Sequence, residues 1–209
     1  MNILNSLQWR YATKKFDAKR ILPEEKIHIL TEAFNLTATS YGLQPLRLIV
    51  IQNKELQESL VPHSMGQRQV ADASHLLVIC IENTIGTAFI HNYFENVKST
   101  RATEDSVLNP FRTQLIKSFD TKSKEEISLW ASKQAYLTLG NLLTVCAAEE
   151  IDACPMEGFF PNKYDDALDL KSKDLRSVLA LPVGYRASDD PFAEFKKVRR
   201  PIKDTIIRL

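Results

Sequence analysis

SKEEISLWASKQAYLTLGNLLTVCAAEE, residues 123–150, is the stretch on which the fold turns. Ser123 or Ser128 can cap a helix here. Glu125 and Glu126 sit in its first turn, where they complement the positive end of the helix dipole. Beyond Trp130 the residues are apolar nearly all round, which predicts a helix buried on every side. About 25 residues at roughly 1.5 Å each span on the order of 38 Å, longer than a small domain is wide. The helix is expected to run through a core or a subunit interface.

Helices and strands alternate on either side of it. Residues 2–9 form a short helix. ILPEEKIHILTEAFNL (21–36) opens with Pro23 and two acids, and Ile27, Leu30, Ala33 and Phe34 recur at helical spacing. SYGLQP (40–45) reads as a loop, and LRLIVIQ (46–52) as a buried strand. ELQESLVPHS (55–64) is a short helix, QRQVADAS (67–74) a lead-in, and HLLVICIE (75–82) a second buried strand. Residues 86–121 look like two surface helices with a turn at Asn109 and Pro110, a helical excursion from the domain. FPNKYDDALDL (160–170) starts another helix and LRSVLALPVGYR (175–186) is a third strand. The tail, DDPFAEFKKVRRPIKDTIIRL, is too polar and irregular to be core. No internal repeat or linker breaks the chain. The expected fold is a single α+β domain over residues 1–209, three-layered, with a central mixed or antiparallel sheet flanked by helices.

Composition narrows the function. The 209 residues are 44% hydrophobic and 25% charged, with Lys plus Arg 27 against Asp plus Glu 26. A net charge of +1 argues against a protein whose main task is binding nucleic acid. The three cysteines form no CxxC pair, so neither a disulfide framework nor a zinc site is expected. Cys80 and Cys146 lie in apolar runs and read as small core residues. The opening MNILNSLQWRYATKK lacks the apolar run of a signal peptide, and LIVI and LLVICI are too short to cross a membrane. A reducing, cytoplasmic location is expected.

Four stretches can carry chemistry. RYATKKF (10–16) places Arg10, Thr13 and Lys14 together, and KKVRRP (196–201) supplies Lys196, Lys197, Arg199 and Arg200. These basic clusters are either solvated surface or the two jaws of a phosphate clamp. No GxGxxG or GxxxxGK[ST] is present, so a Rossmann or P-loop cradle is excluded. GQRQ (66–69) offers two amides, which fit a polar helix start or the edge of a planar ring. ACPMEGF (153–159) needs only be a turn, with Pro155 and Gly158 to shape it. No HExxH or GxSxG occurs, and His28, His63, His75 and His91 have no metal-ligand spacing.

In order, Arg10-Tyr11-Ala12-Thr13-Lys14, SYGLQP, GQRQVADASH (66–75), PMEGF (155–159), LPVGYR (181–186) and KVRRP (197–201) resemble the FMN-dependent nitroreductase family, in its oxygen-insensitive NAD(P)H nitroreductase and dihydropteridine reductase branch. The resemblance covers nearly the whole chain. It implies FMN as cofactor, held in a homodimer interface that includes the long helix. It implies that Arg10, Lys197 and Arg199 hold the phosphate, within a strip that includes Tyr11 and Ala12. Lys14 would lie by the N1 and O2 edge of the ring. Pro155, Met156, Glu157 and Gly158 would run along the ring, with the Glu157 backbone N–H directed at N5. Thr39 and Ser40, before Gln44, would come from the partner subunit, and Gln69 would match a ring-edge contact. Lys14 and Glu157 are thus the expected catalytic pair. The family's small hydroxyl two places after the arginine is Ala12 here, with Thr13 as the possible substitute. Gly66 stands where asparagine is common, and Gln69 where some members carry lysine.

The expected activity is a two-electron, ping-pong transfer from NAD(P)H to nitroaromatics, quinones or related small aromatic acceptors. Tyr41, Phe111 or Phe119 would line the open face. One alternative is a quinone or enone reductase that reduces nitro groups incidentally. Another, of a different class, is a flavin-binding protein without turnover.

Overall fold

The strand His75–Glu82 is buried along both of its faces, and the rest of the domain is arranged around it. The computed structural model of the protein describes residues 2–209. In chain order its elements are α1 (Ile3–Trp9), α2 (Glu24–Asn35), β1 (Leu46–Ile51), α3 (Lys54–Ser59), α4 (Gln69–Asp72), β2 (His75–Glu82), α5 (Thr87–Arg101), α6 (Asp105–Asp120), α7 (Lys124–Ala148), β3 (Asp152–Ala153), α8 (Pro161–Ala167) and β4 (Leu175–Gly184). The sheet is antiparallel throughout, in the order β1-β2-β4-β3. Successive side chains of a strand face opposite sides. Leu77, Ile79 and Ile81 therefore enter one core with α2, α5, α6 and α7. Leu76, Val78 and Cys80 enter a second core with Val70 of α4 and Tyr164 of α8. Two cores on one sheet make the three layers, and they explain why HLLVICIE has no polar face.

Helix α7 forms as its caps predict. Ser123 accepts from the Glu126 N–H at 3.1 Å, while the Glu126 carboxylate accepts from the Ser123 N–H at 2.7 Å, a reciprocal capping box. Ser128 has no capping role: it lies inside the helix and receives a hydrogen bond from Arg176. The expectation of burial on every side is corrected. Ala131, Ala135, Leu139, Leu142 and Cys146 face the core, whereas Leu129, Tyr136 and Leu137 are 57%, 47% and 53% exposed. The chain supplies a cover for only one side of this helix.

Residues 86–121 are two helices, as expected, but they are more than a surface excursion. Ile90 and Phe94 of α5 and Leu108, Leu115 and Phe119 of α6 are buried in the first core. Asn109 and Pro110 are not a turn; both lie within α6. Proline removes one ladder hydrogen bond there, and the burial of Leu108 and Leu115 on the same helix offsets the loss. Phe111 packs edge-on to Phe94, with ring centroids 5.7 Å apart. Strand β3, only two residues long, is an addition to the three strands legible in the sequence. No helix among the described residues is long and apolar enough to cross a membrane.

Candidate active site

The two ends of the chain meet beside β3. After α1 the backbone turns extended at Arg10, and Ala12 forms a parallel bridge with Ala153. The Thr13 N–H donates to the Ala153 carbonyl at 3.2 Å. On its other side this strip is held by the chain leaving β4. The Asp17 N–H donates to Tyr185 at 2.8 Å and the Ala187 N–H to Lys15 at 2.9 Å. The tail then folds back, enclosing a cavity of about 400 Å³ whose wall includes Arg10, Tyr11, Ala12, Lys14, Lys197 and Arg199. None of its cations Arg10, Lys14, Lys197 and Arg199 has a carboxylate partner among the described residues. Burial, then the charge of Arg199, lowers the pKa of Arg10; burial, then Arg10 and Arg199, lowers that of Lys197. Cations that face one cavity without a salt-bridge partner are a donor set that suits an anion. The Lys197 ammonium donates to the carbonyls of Leu7, at 3.0 Å, and Arg10, which tethers the tail to the last turn of α1.

Two buried aspartates brace this cradle. Asp190 is 3% exposed. One of its oxygens accepts from the Tyr11 hydroxyl at 2.8 Å and from the Lys14 and Lys15 N–H groups at 2.9 and 3.2 Å. The other accepts from the Phe192 N–H at 3.0 Å. Burial pushes its carboxyl pKa upward, but hydrogen bonds from Phe192, Tyr11, Lys14 and Lys15 outweigh it and the net shift is down. Asp152 accepts from Arg186 Nε at 2.6 Å and from the Arg186 N–H at 2.8 Å. The Arg186 guanidinium lies 4.3 Å from the Trp9 ring centroid and 4.6 Å from that of Tyr11. Burial raises the Asp152 carboxyl pKa against the opposing pull of Arg186.

The PMEG turn continues from β3 along the same side. Met156 exchanges hydrogen bonds with Ala180 of β4, N–H to O at 2.8 Å and O to N–H at 3.1 Å. The next residue, Glu157, is exposed, and its backbone N–H has no acceptor among the described residues. Its carboxylate accepts from the Tyr136 hydroxyl of α7 at 2.7 Å. The Gly158 carbonyl accepts from Gln67 Nε2 at 2.8 Å, and a Cβ on Gly158 would lie 3.1 Å from that nitrogen. A side chain here would press on Gln67, which would have to shift by a few tenths of an ångström. Lys14 and Arg10 both pull on the Cys154 thiol, whose pKa burial raises, so cradle and turn share one electrostatic neighbourhood.

Comparison with known proteins decides the kinship. The family model described as "Nitroreductase family" matches residues 7–185. A Staphylococcus haemolyticus protein provisionally named an NAD(P)H nitroreductase is 32% identical, over 98% of this chain and 95% of its own. The chain belongs to the nitroreductase family. By that membership it is an oxidoreductase. A Staphylococcus epidermidis relative with the same kind of provisional name is 33% identical, over 98% of this chain and 95% of its own. The nitroreductase fold itself is shared with two solved structures. A nitroreductase-like protein from Streptococcus mutans has a TM-score of 0.86 at 23% identity, covering 99% of this chain and 97% of its own. A provisionally named nitroreductase from Exiguobacterium sibiricum, solved in complex with FMN, has a TM-score of 0.86 at 18% identity, covering 100% and 98%.

Within this nitroreductase-family fold the remaining expected residues fall elsewhere. Thr39 and Gln44 line a different cavity, of about 350 Å³, against β1 and α2. Thr39 Oγ1 accepts from the Gln44 N–H at 3.0 Å, and Ser40 donates its N–H to Gln134 of α7 at 2.9 Å. Gln69 opens α4, is buried, and its side chain makes no hydrogen bond among the described residues. Thr13, the possible substitute for the hydroxyl absent at Ala12, is fully buried, its hydroxyl has no partner among the described residues, and it is not on the cavity wall. Tyr41 and Phe111 are exposed and their ring centroids are 6.4 Å apart, but Phe119 is buried in the core and does not line an open face. Sequence reasoning did not single out Asp190 or Asp152, and it offered Gln67 only as one of the two amides of GQRQ. Nothing marked Asp190 over its neighbour Asp189.

Proposed function

We propose that the protein is an FMN-dependent NAD(P)H oxidoreductase that transfers two electrons, in ping-pong order, to nitroaromatics, quinones or related acceptors. The observation that carries this reading is the cradle of Arg10, Lys14, Lys197 and Arg199, none of which has a salt-bridge partner among the described residues. Its donor set suits a phosphate monoester. The provisional naming of the staphylococcal relatives and the FMN held by the Exiguobacterium sibiricum neighbour support the same pair of cofactors.

FMN, when bound, supplies hydride acceptance and donation at N5 and gathers negative charge along its N1–C2–O2 edge. Arg10, Lys197 and Arg199 would hold the phosphate. The unpartnered Glu157 N–H is free to donate to a ring nitrogen without side-chain bulk. Pro155 limits the backbone freedom of that turn, and Gln67 holds its far end through the Gly158 carbonyl. Lys14 would place a cation where negative charge develops, an interaction strengthened where water is excluded.

The proposed assembly is a homodimer. Its support is the exposed apolar side of α7, with Leu129, Tyr136 and Leu137, continued by the exposed Leu36. The family resemblance implies that Thr39 and Ser40 of one protomer then lie by the cradle of the other.

The test is direct. The purified protein should be yellow and dimeric, carry about one FMN per chain, and oxidise NADH or NADPH when a quinone or nitroaromatic is added. Bound FMN without turnover would favour the flavin-binding alternative. A colourless chain that ignores added FMN would reject the reading altogether.

A further inference from the structure

We propose that Asp190 is a positioning residue for the cationic cradle: it fixes the tail that carries Lys197 and Arg199 against the strip that carries Arg10 and Lys14, and phosphate affinity depends on it although it is not a phosphate ligand. This rests on the reading of the cradle as the FMN phosphate site.

The geometry is specific. Three donors of the strip, the Tyr11 hydroxyl and the N–H groups of Lys14 and Lys15, converge on one carboxylate oxygen. The Phe192 N–H of the tail uses the other. The carboxylate thus joins two segments 179 residues apart. It is the only carboxylate among the described residues that bonds both of them from within. Its neighbour Asp189 is exposed and reaches only the Lys15 ammonium. These four hydrogen bonds, at 2.8 to 3.2 Å, are directional, so they fix position and not merely charge. Tyr11 in turn lies against the Arg186 guanidinium, which Asp152 anchors to β3. Cradle, tail and sheet edge therefore share one bracing network with Asp190 at its centre.

Charge and position make opposite predictions. A buried anion beside the cradle repels phosphate. If Asp190 acted only through its charge, Asp190→Asn would strengthen FMN binding. If it positions the cradle, the same change weakens it, because an amide turns an N–H₂ group or a single acceptor toward donors that need two carboxylate oxygens. Asp190→Glu separates the two further: it keeps the charge and displaces it by one methylene.

The experiment is a fluorescence titration of apo wild type, Asp190→Asn and Asp190→Glu with FMN and with riboflavin, which lacks the phosphate. Thermal melts identify any variant that has not folded. Both variants are expected to lose FMN affinity by roughly tenfold, the scale of one hydrogen bond to a charged group, and to lose clearly less for riboflavin. Tyr11→Phe, which removes one of the bonds and no charge, should reproduce a smaller loss in the same direction and serves if the Asp190 variants do not fold. Unchanged or tighter FMN binding overturns the proposal, and so does an equal loss for both flavins, which marks Asp190 as a general scaffold residue. If wild type itself binds riboflavin as tightly as FMN, the phosphate reading fails and this inference with it. If wild type prefers FMN and the variants keep the full preference, only the role of Asp190 is lost.

Discussion

The cradle and the loop at residues 39–44 were both read as parts of one cofactor site, yet they are built differently. The cradle is closed by its own chain. Residues from its two ends meet on a buried carboxylate with four hydrogen bonds. The loop is held to the rest of its chain more sparsely. Gln134 accepts from the Ser40 N–H, and Gln44 Nε2 donates to the Asn35 carbonyl at 2.7 Å. Tyr41 and Gln44 adopt φ of 60° and 46°, a left-handed conformation that costs a non-glycine residue energy and persists only where the surroundings impose it. Thr39 faces a separate cavity beside the edge strand β1. The contrast teaches that one chain brings Arg10, Lys14, Lys197 and Arg199 together but leaves Thr39 and Gln44 at a separate cavity, an arrangement in keeping with the proposed dimer.

The largest expected effect comes from parting the two copies of the proposed dimer. Leu137→Glu places a charge on the exposed apolar side of α7. By sedimentation the variant should be monomeric, and FMN affinity should fall by more than about a hundredfold, since a charge buried without a partner costs several kcal/mol. A variant that stays dimeric and yellow would break the comparison. Next is Arg10→Ala, within the cradle. A charge-assisted hydrogen bond is worth roughly 1.5–3 kcal/mol, so FMN affinity should fall about tenfold to a hundredfold. Riboflavin should lose much less, and equal losses would remove Arg10 from the phosphate.

A third outcome concerns pH. The folded state holds the Asp190 carboxyl below its ordinary value. Its stabilising contribution is therefore fully present above the unfolded pKa of about 3.9 and is lost as pH falls through the lower folded value. The melting temperature of wild type should exceed that of Asp190→Asn at neutral pH, and the gap should narrow only in that acid window. A gap that closes between pH 6 and 8 would point to a different group. The smallest effect is expected at Gln69. If this residue lies by the flavin edge, Gln69→Lys should favour the reduced, negatively charged form. About 1.4 kcal/mol of differential attraction would raise a two-electron midpoint by roughly 30 mV. An unchanged or lower midpoint in a redox titration at fixed pH would place Gln69 away from that edge.

The sequence made the strands and the long helix legible because their patterns are local. HLLVICIE, a short unbroken apolar run, reads as a strand buried on two faces, and Ser123 with Glu126 marks a helix start. Other features are set at a distance. Asp189 and Asp190 are adjacent and chemically identical, yet one is exposed against Lys15 and the other buried under Tyr11. No single sequence distinguishes them, because the donors lie in a strip far away along the chain. The outer side of α7 was left between a core and a subunit interface for a related reason: Leu129 and Leu137 look the same whether their cover is the chain's own core or another surface. Pro110 suggested a turn, and the packing of α6 overrode that local preference. That Thr39 and Ser40 would lie apart from Arg10 within one chain is an expectation of the family resemblance alone, since spacing cannot say which chain a neighbour belongs to.

The span of the contacts that build the cradle also orders its assembly in time. The bond between the Tyr11 hydroxyl and Asp190 bridges 179 residues, and that between Lys197 and the Arg10 carbonyl bridges 187. Synthesis is vectorial, so Arg10 leaves the ribosome long before its partners exist. The sheet core can condense around β1 and β2 while the tail is still being made, because domains begin to fold as they emerge. Contacts this distant carry the highest loop-closure cost and form late. Arg10, Lys197 and Arg199 therefore come together only in a chain made at least to residue 199. Anion binding at the proposed cradle would therefore report a chain made and folded at least through residue 199.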